Sequence, residues 1–268
     1  MDGLNSKLTI LINSCEQFSD MWPNIFNLYE KNWSNHPTLK VITGGTKDTL
    51  YPKESFLEYD GEMSDRLLKA IDEVKTKYIF LSFDDYYPIK PVCKDKIQQI
   101  VNVLEDNNYD YCRIFNKPKI KGKKIDQIKY QVMPLTNYYE VNFYPSIWKV
   151  SSLKNVLKQN EVIWKLEARL TRRCKEQNFT CCCVHNKGIF DFIDVVRKGK
   201  YLRNAYRYLK RSDLYISDRK KRGVWETIKL NTRIFVSDHT SPKMKNFLKK
   251  VFRRKGKVYY SDYADNDD

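Results

Sequence analysis

No stretch of the 268 residues approaches the run of roughly 20 apolar residues that a bilayer-crossing helix requires. The opening segment, MDGLNSKLTILIN, lacks the basic end, apolar centre and small-residue cleavage site of a secretory signal. A cytoplasmic protein is therefore expected. Among the seven cysteines (15, 93, 112, 174, 181, 182 and 183) there is no CxxC pair, and their odd, scattered distribution suits buried thiols in a reducing compartment. A zinc site assembled from Cys174, the Cys181-Cys182-Cys183 run and His185 lacks paired-knuckle spacing. There is no internal repeat, no zinc-finger or RNP-type motif, and no Gly-rich phosphate loop near the first apolar segment.

The residues present are those of a globular chain. Hydrophobic residues make up 41% and aromatics 14%, too many for a mainly disordered protein and enough for a sizeable core. The net charge of +16 is concentrated in one segment. Residues 197–258 carry 21 Lys and Arg against four acids, whereas the rest of the chain is close to neutral.

Alternation of apolar runs with amphipathic stretches sets the organisation. LTILIN (8–13) and LKVITGG (39–45) predict buried strands, separated by a loop and an aromatic-rich helix from about residue 20 to 33. SDRLLKAIDEV predicts a helix capped by Ser64, with Leu67, Leu68, Ile71 and Val74 as its apolar stripe. YIFLSF (78–83) reads as a strand buried on both faces, followed by a helix near 94–105 and a strand in YDYCRIF. Such a series favours an α/β fold with a mostly parallel central sheet. Short aromatic strands are expected over 127–150, then two helices, SSLKNVLKQ with serine caps and VIWKLEARLTRRCKEQ. Strand character returns over 179–196, and 201–256 reads as helical and basic.

Asp84 and Asp85 directly follow the third buried run, where an α/β sheet places its ligands. Adjacent carboxylates repel unless a cation or a proton relieves them, and they supply the hard oxygens that Mg²⁺ and Mn²⁺ prefer. A capped turn with one aspartate facing water accounts for the same spacing equally well.

The combination of parts is more informative. ILINSCEQFSDMW, SDRLLKAIDEVKTKYIFLSFDDYY, YPSIWKVSSLKNVL, VIWKLE and VRKGKY, in that order over roughly residues 8–201, resemble bacterial nucleotide-sugar glycosyltransferases of the GT-A fold, of the capsular polysaccharide and lipooligosaccharide type. The acidic run here is Asp84-Asp85-Tyr86 rather than D-x-D, which leaves the first-choice ligand open between the two aspartates. The resemblance implies a GT-A catalytic domain over 1–196, with a nucleotide-sugar half to about 115 and an acceptor half over 116–196. A basic helical C-terminal extension over 197–268 follows.

It further implies a metal, Mn²⁺ or Mg²⁺, held by Asp85, with His185 as a further ligand. Asp84 would contact the metal through water or touch the donor. Asn13, Ser14 and Cys15 would line the base pocket, with Asp65 and Arg66 nearby; an arginine fork there suits diphosphate oxygens. Glu167, in the W-x-x-E segment with Trp164, is the implied general base, and Asp191 (with Asp194) is held in reserve. Tyr138, Tyr139, Tyr144 and Trp148, together with Trp164, make an acceptor neighbourhood.

The implied reaction transfers a sugar, with inversion, from a UDP-linked donor to a saccharide or lipid-linked saccharide. A metal-dependent nucleotidyltransferase would use the same aspartates, and a non-enzymatic nucleic-acid or membrane-binding protein would use the basic end alone. Within that end, KMKNFLKKVFRR (243–254) sets Met244, Phe247, Leu248, Val251 and Phe252 on one face. Over 241–257 this predicts contact with an anionic membrane at the cytoplasmic face of the inner membrane. Docking on its own domain or on a second subunit in a homo-oligomer is the alternative, and nucleic acid is not expected.

Overall fold

A computed structural model describes residues 3–45, 51–116, 119, 128–185, 187–240 and 260–264. The chain divides into two compact units, Met1–Ile193 and Asp194–Asp268.

The first unit is built on an eight-stranded sheet. Its strands are β1 (Leu8–Asn13), β2 (Leu39–Thr43), β3 (Phe56–Glu58), β4 (Tyr78–Phe83), β6 (Tyr111–Arg113), β7 (Tyr130–Val132), β8 (Ser146–Lys149) and β9 (Cys181–Val184). They lie in the order β3-β2-β1-β4-β8-β6-β9-β7. The short β5 (Tyr86–Pro88) forms a separate ribbon with β10 (Phe192–Asp194), a strand opened by the last residues of this unit.

β1 pairs in parallel with β2 and β4, and β2 with β3. β8 is inserted antiparallel between β4 and β6, so β4, β6 and β9 again point the same way. The carboxyl ends of β1, β2, β4, β6 and β9 thus share one edge of the sheet. This is the expected α/β class: a mixed, mostly parallel, Rossmann-like sheet with helices on both faces.

All six residues of β1 and five of the six in β4 are buried, which is why their sequences read as continuous apolar runs rather than alternations. One face packs on α2 (Met63–Glu73), α4 (Val150–Val156) and α5 (Ile163–Glu176) through Leu67, Ile71, Leu153, Leu166 and Leu170. The other face carries α1 (Trp22–Asn32) and α3 (Lys94–Asp106), where Trp33, Phe80 and Phe190 make edge-on and tilted ring contacts. Fully burying each aliphatic side chain contributes about 1.5–3 kcal/mol. The expected buried strand thiols are there too, with Cys112, Cys181, Cys182 and Cys183 interior.

Two caps differ from expectation. α2 starts one residue before Ser64: Glu62 is its cap and Asp65 completes a capping box, because the backbone N–H of Glu62 donates to Asp65 Oδ2 at 3.1 Å. Ser64 Oγ instead accepts the backbone N–H of Glu161 at 2.8 Å. α4 is capped by Lys149 rather than by a serine, and Ser152 donates to Asp110 Oδ1 at 2.6 Å.

The second unit contains a hairpin of β11 (Val196–Arg197) with β12 (Lys200–Tyr201), then α6 (Arg203–Arg211) and α7 (Val224–His239). Among the described residues no helix is long and apolar enough to cross a membrane. The expected amphipathic segment at 241–257 lies outside the described residues.

Candidate active site

β1 ends in Asn13, β4 ends in Phe83, and the two strands run side by side in parallel, so Ser14 and Asp84 emerge together. The backbone N–H of Asp84 donates to Asn13 O at 3.3 Å, and the Ser14 hydroxyl donates to Asp84 Oδ2. Ser14 Oγ in turn accepts the Trp22 indole N–H at 2.8 Å. Asp84 is only 6% exposed, so this relay from α1 fixes a buried carboxylate in one orientation. Asp85 is half-buried, one residue further on.

The nucleotide-side residues from the sequence separate here into two groups. Asn13, Ser14, Cys15, Arg66 and Asp84 come together. A side-chain carbon on Gly44, at the end of β2, would stand 3.2 Å from Arg66 Nη1, so the guanidinium lies against that backbone. The Cys15 thiol is pushed above its ordinary value of 9.0, first by burial and then by the Asp84 carboxylate, while the Arg66 charge opposes both. Both ionic side chains therefore act on Cys15. Asp65 turns away: besides capping α2 it accepts the backbone N–H of Asn160 at 3.0 Å through Oδ1.

Two polar atoms in the first group are unmet. Asn13 Oδ1, an acceptor, and Arg66 Nε, a donor, are buried and find no hydrogen-bond partner among the described residues. Leaving such groups unpaired costs about 1–3 kcal/mol each, a cost that a bound polar ligand would remove.

The antiparallel β8 begins at the same edge, because its first residue, Ser146, pairs with Leu81 and Arg113. Phe143 and Tyr144, just before it, are carried there. Glu167, in the N-terminal half of α5, accepts the backbone N–H of Phe143 at 3.2 Å through Oε1. Burial raises the Glu167 carboxyl above its ordinary 4.5, and the Phe143 hydrogen bond only partly opposes this.

Phe143 packs edge-on against Phe83 at 5.8 Å between ring centres, joining the glutamate to the residue that precedes Asp84. Further along, Tyr86, Phe115, Tyr144 and Phe192 form a half-exposed aromatic cluster. Its ring centres lie 5.0 Å apart for Tyr86 and Phe192, 5.1 Å for Phe115 and Tyr144, and 5.5 Å for Tyr86 and Tyr144. Of these four only Tyr144 is among the acceptor candidates in the sequence. Tyr86 was adjacent to the aspartates in FDDYY, whereas Phe115 and Phe192 gave no local signal.

Other expected residues lie elsewhere. Trp148 is fully buried on β8, edge-on to Tyr111 at 4.4 Å, and so is not presented to an acceptor. Trp164 is 57% exposed, one turn before Glu167 on α5. Asp191 forms an ion pair with Lys90 at 3.0 Å, and Asp194 one with Arg197 at 2.8 Å.

His185 follows β9 at the ligand edge, but both ring nitrogens are engaged. Gln131 Oε1 lies 3.0 Å from Nε2 and Asn116 Nδ2 lies 3.1 Å from Nδ1. With both nitrogens within hydrogen-bond distance of these side chains, neither points into open space for a metal.

Among the described residues no group of three His, Cys, Asp or Glu is placed to hold a metal ion. Asp84 and Asp85 remain as a pair of hard carboxylates. Mg²⁺ is commonly bound by one or two carboxylates completed by substrate phosphates, and the pair fits that requirement.

The strand order and the edge that carries these residues define the class as a Rossmann-like α/β protein with a mixed, mostly parallel sheet. No protein-family model and no curated protein matches the sequence. Among solved structures, S. aureus TarS superposes with a TM-score of 0.47 at 15% identity, over 68% of this chain and 36% of that one. TarS 1-349 in complex with UDP-GlcNAc gives 0.43 at 13% identity, over 73% and 60%. CMP:2-keto-3-deoxy-manno-octonic acid synthetase complexed with CTP gives 0.44 at 13%, over 78% and 100%. The aligned part thus spans between about a third and three-fifths of these TarS chains. The fold assignment above rests on strand order and register.

Proposed function

We propose that the chain is a metal-dependent glycosyltransferase of hexosyl or N-acetylhexosaminyl type. It transfers a sugar from a UDP-linked donor to a saccharide or lipid-linked saccharide acceptor in surface polysaccharide biosynthesis, with inversion. The observation that carries this reading is the pairing of a raised-pKa glutamate with an acidic pair on one sheet edge, Glu167 being linked to Asp84 through Phe143 and Phe83.

The unmet acceptor on Asn13 suits a nucleobase N–H, and Arg66 faces where a diphosphate would follow. Asp85, with Asp84 fixed behind it, would hold a Mg²⁺ or Mn²⁺ whose charge offsets that of the diphosphate leaving group. The aromatic cluster packs on the acceptor ring, and the Glu167 carboxylate takes the proton from the attacking hydroxyl. Glu167 is preferred to Asp191 as base because Asp191 is committed to Lys90.

Thermal shift against UDP-, GDP-, dTDP- and CMP-sugars, with and without Mn²⁺, tests the reading. A Mn²⁺-dependent rise with UDP-sugars, lost in Asp85→Asn, is expected. A response to nucleoside triphosphates with pyrophosphate release would assign nucleotidyl transfer instead, and no response to any nucleotide would remove the enzymatic reading. Retention of the donor's anomeric configuration in the product, read by NMR, would overturn inversion.

A further inference from the structure

We propose that α7 is a docking surface for an anionic lipid bilayer. Nine large hydrophobic side chains are exposed among the described residues, and five of them, Val224, Trp225, Ile228, Phe235 and Val236, belong to this one 16-residue helix. At about 100° per residue the five fall within an arc of about 120°. The residues that are half-buried, Thr227, Leu230 and Ile234, lie on roughly the opposite side. The helix therefore has one partly shielded side and, apart from it, an exposed apolar face. Trp225, at 82% exposure, is its most prominent member.

Charge selects the occupant. Residues 194–240 hold 13 Lys and Arg against five Asp and Glu. Arg219, Lys220, Lys221 and Arg222 directly precede the Gly223 cap, and the exposed Lys229 borders the apolar arc. An apolar stripe headed by tryptophan and flanked by cations matches a membrane interface with anionic headgroups, where aromatic rings rest at headgroup depth and basic residues meet lipid phosphate. A second copy would bring a second excess of positive charge to the same surface. The segment 241–259 holds eight Lys and Arg and no acid, so covering the stripe with it would add charge of the same sign. A nucleic acid satisfies the cations but leaves the aliphatic arc in water.

The test is flotation of the full-length protein with vesicles of phosphatidylcholine, alone or with phosphatidylglycerol. Binding is expected only with the anionic lipid, falling at least tenfold in high salt. Replacing the exposed pair, W225S/I228S, should weaken it at least tenfold while the circular dichroism spectrum and donor binding stay unchanged. K220Q/K229Q should weaken it and lessen its salt dependence. F247S/F252S, in the segment 241–257, should leave it within about threefold. Equal binding by W225S/I228S would overturn the proposal. So would loss of binding in F247S/F252S alone, equal flotation with neutral vesicles, or lipid-free self-association that W225S abolishes. Donor binding is read separately, so failure here leaves the transferase reading standing, and the reverse also holds.

Discussion

Glu167 owes its character to its surroundings rather than to its type. A carboxylate that burial raises above 4.5 holds its proton to a higher pH than an exposed one, and only the deprotonated form can act as base. The acid limb of kcat/KM is thus expected above the ordinary carboxylate value, with activity falling as pH drops through it. Glu167→Gln should lower kcat by about 10²–10⁴-fold, the usual contribution of a positioned base, and should flatten that limb. Nucleotide-sugar affinity, measured by calorimetry, should stay within a few-fold, because Glu167 bonds to Phe143 and not to the group around Arg66. Near-normal turnover in this variant would remove the base assignment. The same residue shows how far local reading reaches. The spacing of Trp164 and Glu167 on a helix was visible in the sequence, but the backbone N–H that orients the carboxylate comes from 24 residues away and was not.

Among the elements, α5 depends on a residue outside its span. Glu161 is buried and receives Arg169 Nη1 at 2.6 Å, Arg173 Nη1 at 2.6 Å and Arg173 Nη2 at 2.7 Å. Arg173 also donates to Val156 O, at the end of α4, at 2.9 Å. The backbone N–H groups of Asn160 and Glu161 reach Asp65 and Ser64 on α2. Through its carboxylate, the arginine it holds and its backbone, the Asn160–Glu161 segment therefore ties together the helix bearing Glu167, the end of α4 and the start of the helix bearing Arg66. Burial favours the neutral acid, but the two arginines outweigh it and hold Glu161 below 4.5. A depressed carboxyl stabilises the fold above its unfolded value and loses that contribution as pH falls through the folded one. Glu161→Gln is expected to cost about 3–5 kcal/mol near neutrality, the scale for breaking a buried pair. The difference from the unmodified protein should shrink in acid, as followed by urea midpoints from pH 7 to 3. A pH-independent difference would mean that the charge contributes nothing.

For the whole molecule, the sheet separates interior from surface along the chain. Five of the seven thiols are buried, and only Cys15 and Cys93 are half-exposed. A maleimide dye should therefore label at most two cysteines in the native protein and all seven in denaturant, as counted by mass spectrometry. Donor with Mn²⁺ should protect Cys15 and leave Cys93 reactive. Three or more native labels would mean that the β6–β9 interior or the face of α5 that carries Cys174 opens.

The strands β1 and β4 could be read directly, since burial on both faces of a parallel sheet demands an unbroken apolar run, and the position of Asp84 and Asp85 followed from the end of that run. Composition likewise localised the positive charge to the last quarter of the chain. Register and direction could not be read, because they depend on pairings between distant segments. The antiparallel insertion of β8 drew Trp148 into the core while leaving Tyr144 at the edge. The separation of Asp65 from Arg66 was decided by Asn160, 95 residues away, and the fixing of Asp84 by a hydroxyl 70 residues away. Local sequence sets which residues are apolar, charged or helical. Which polar groups meet, and which are left for a ligand, is decided only when the sheet closes and each buried donor must find its acceptor.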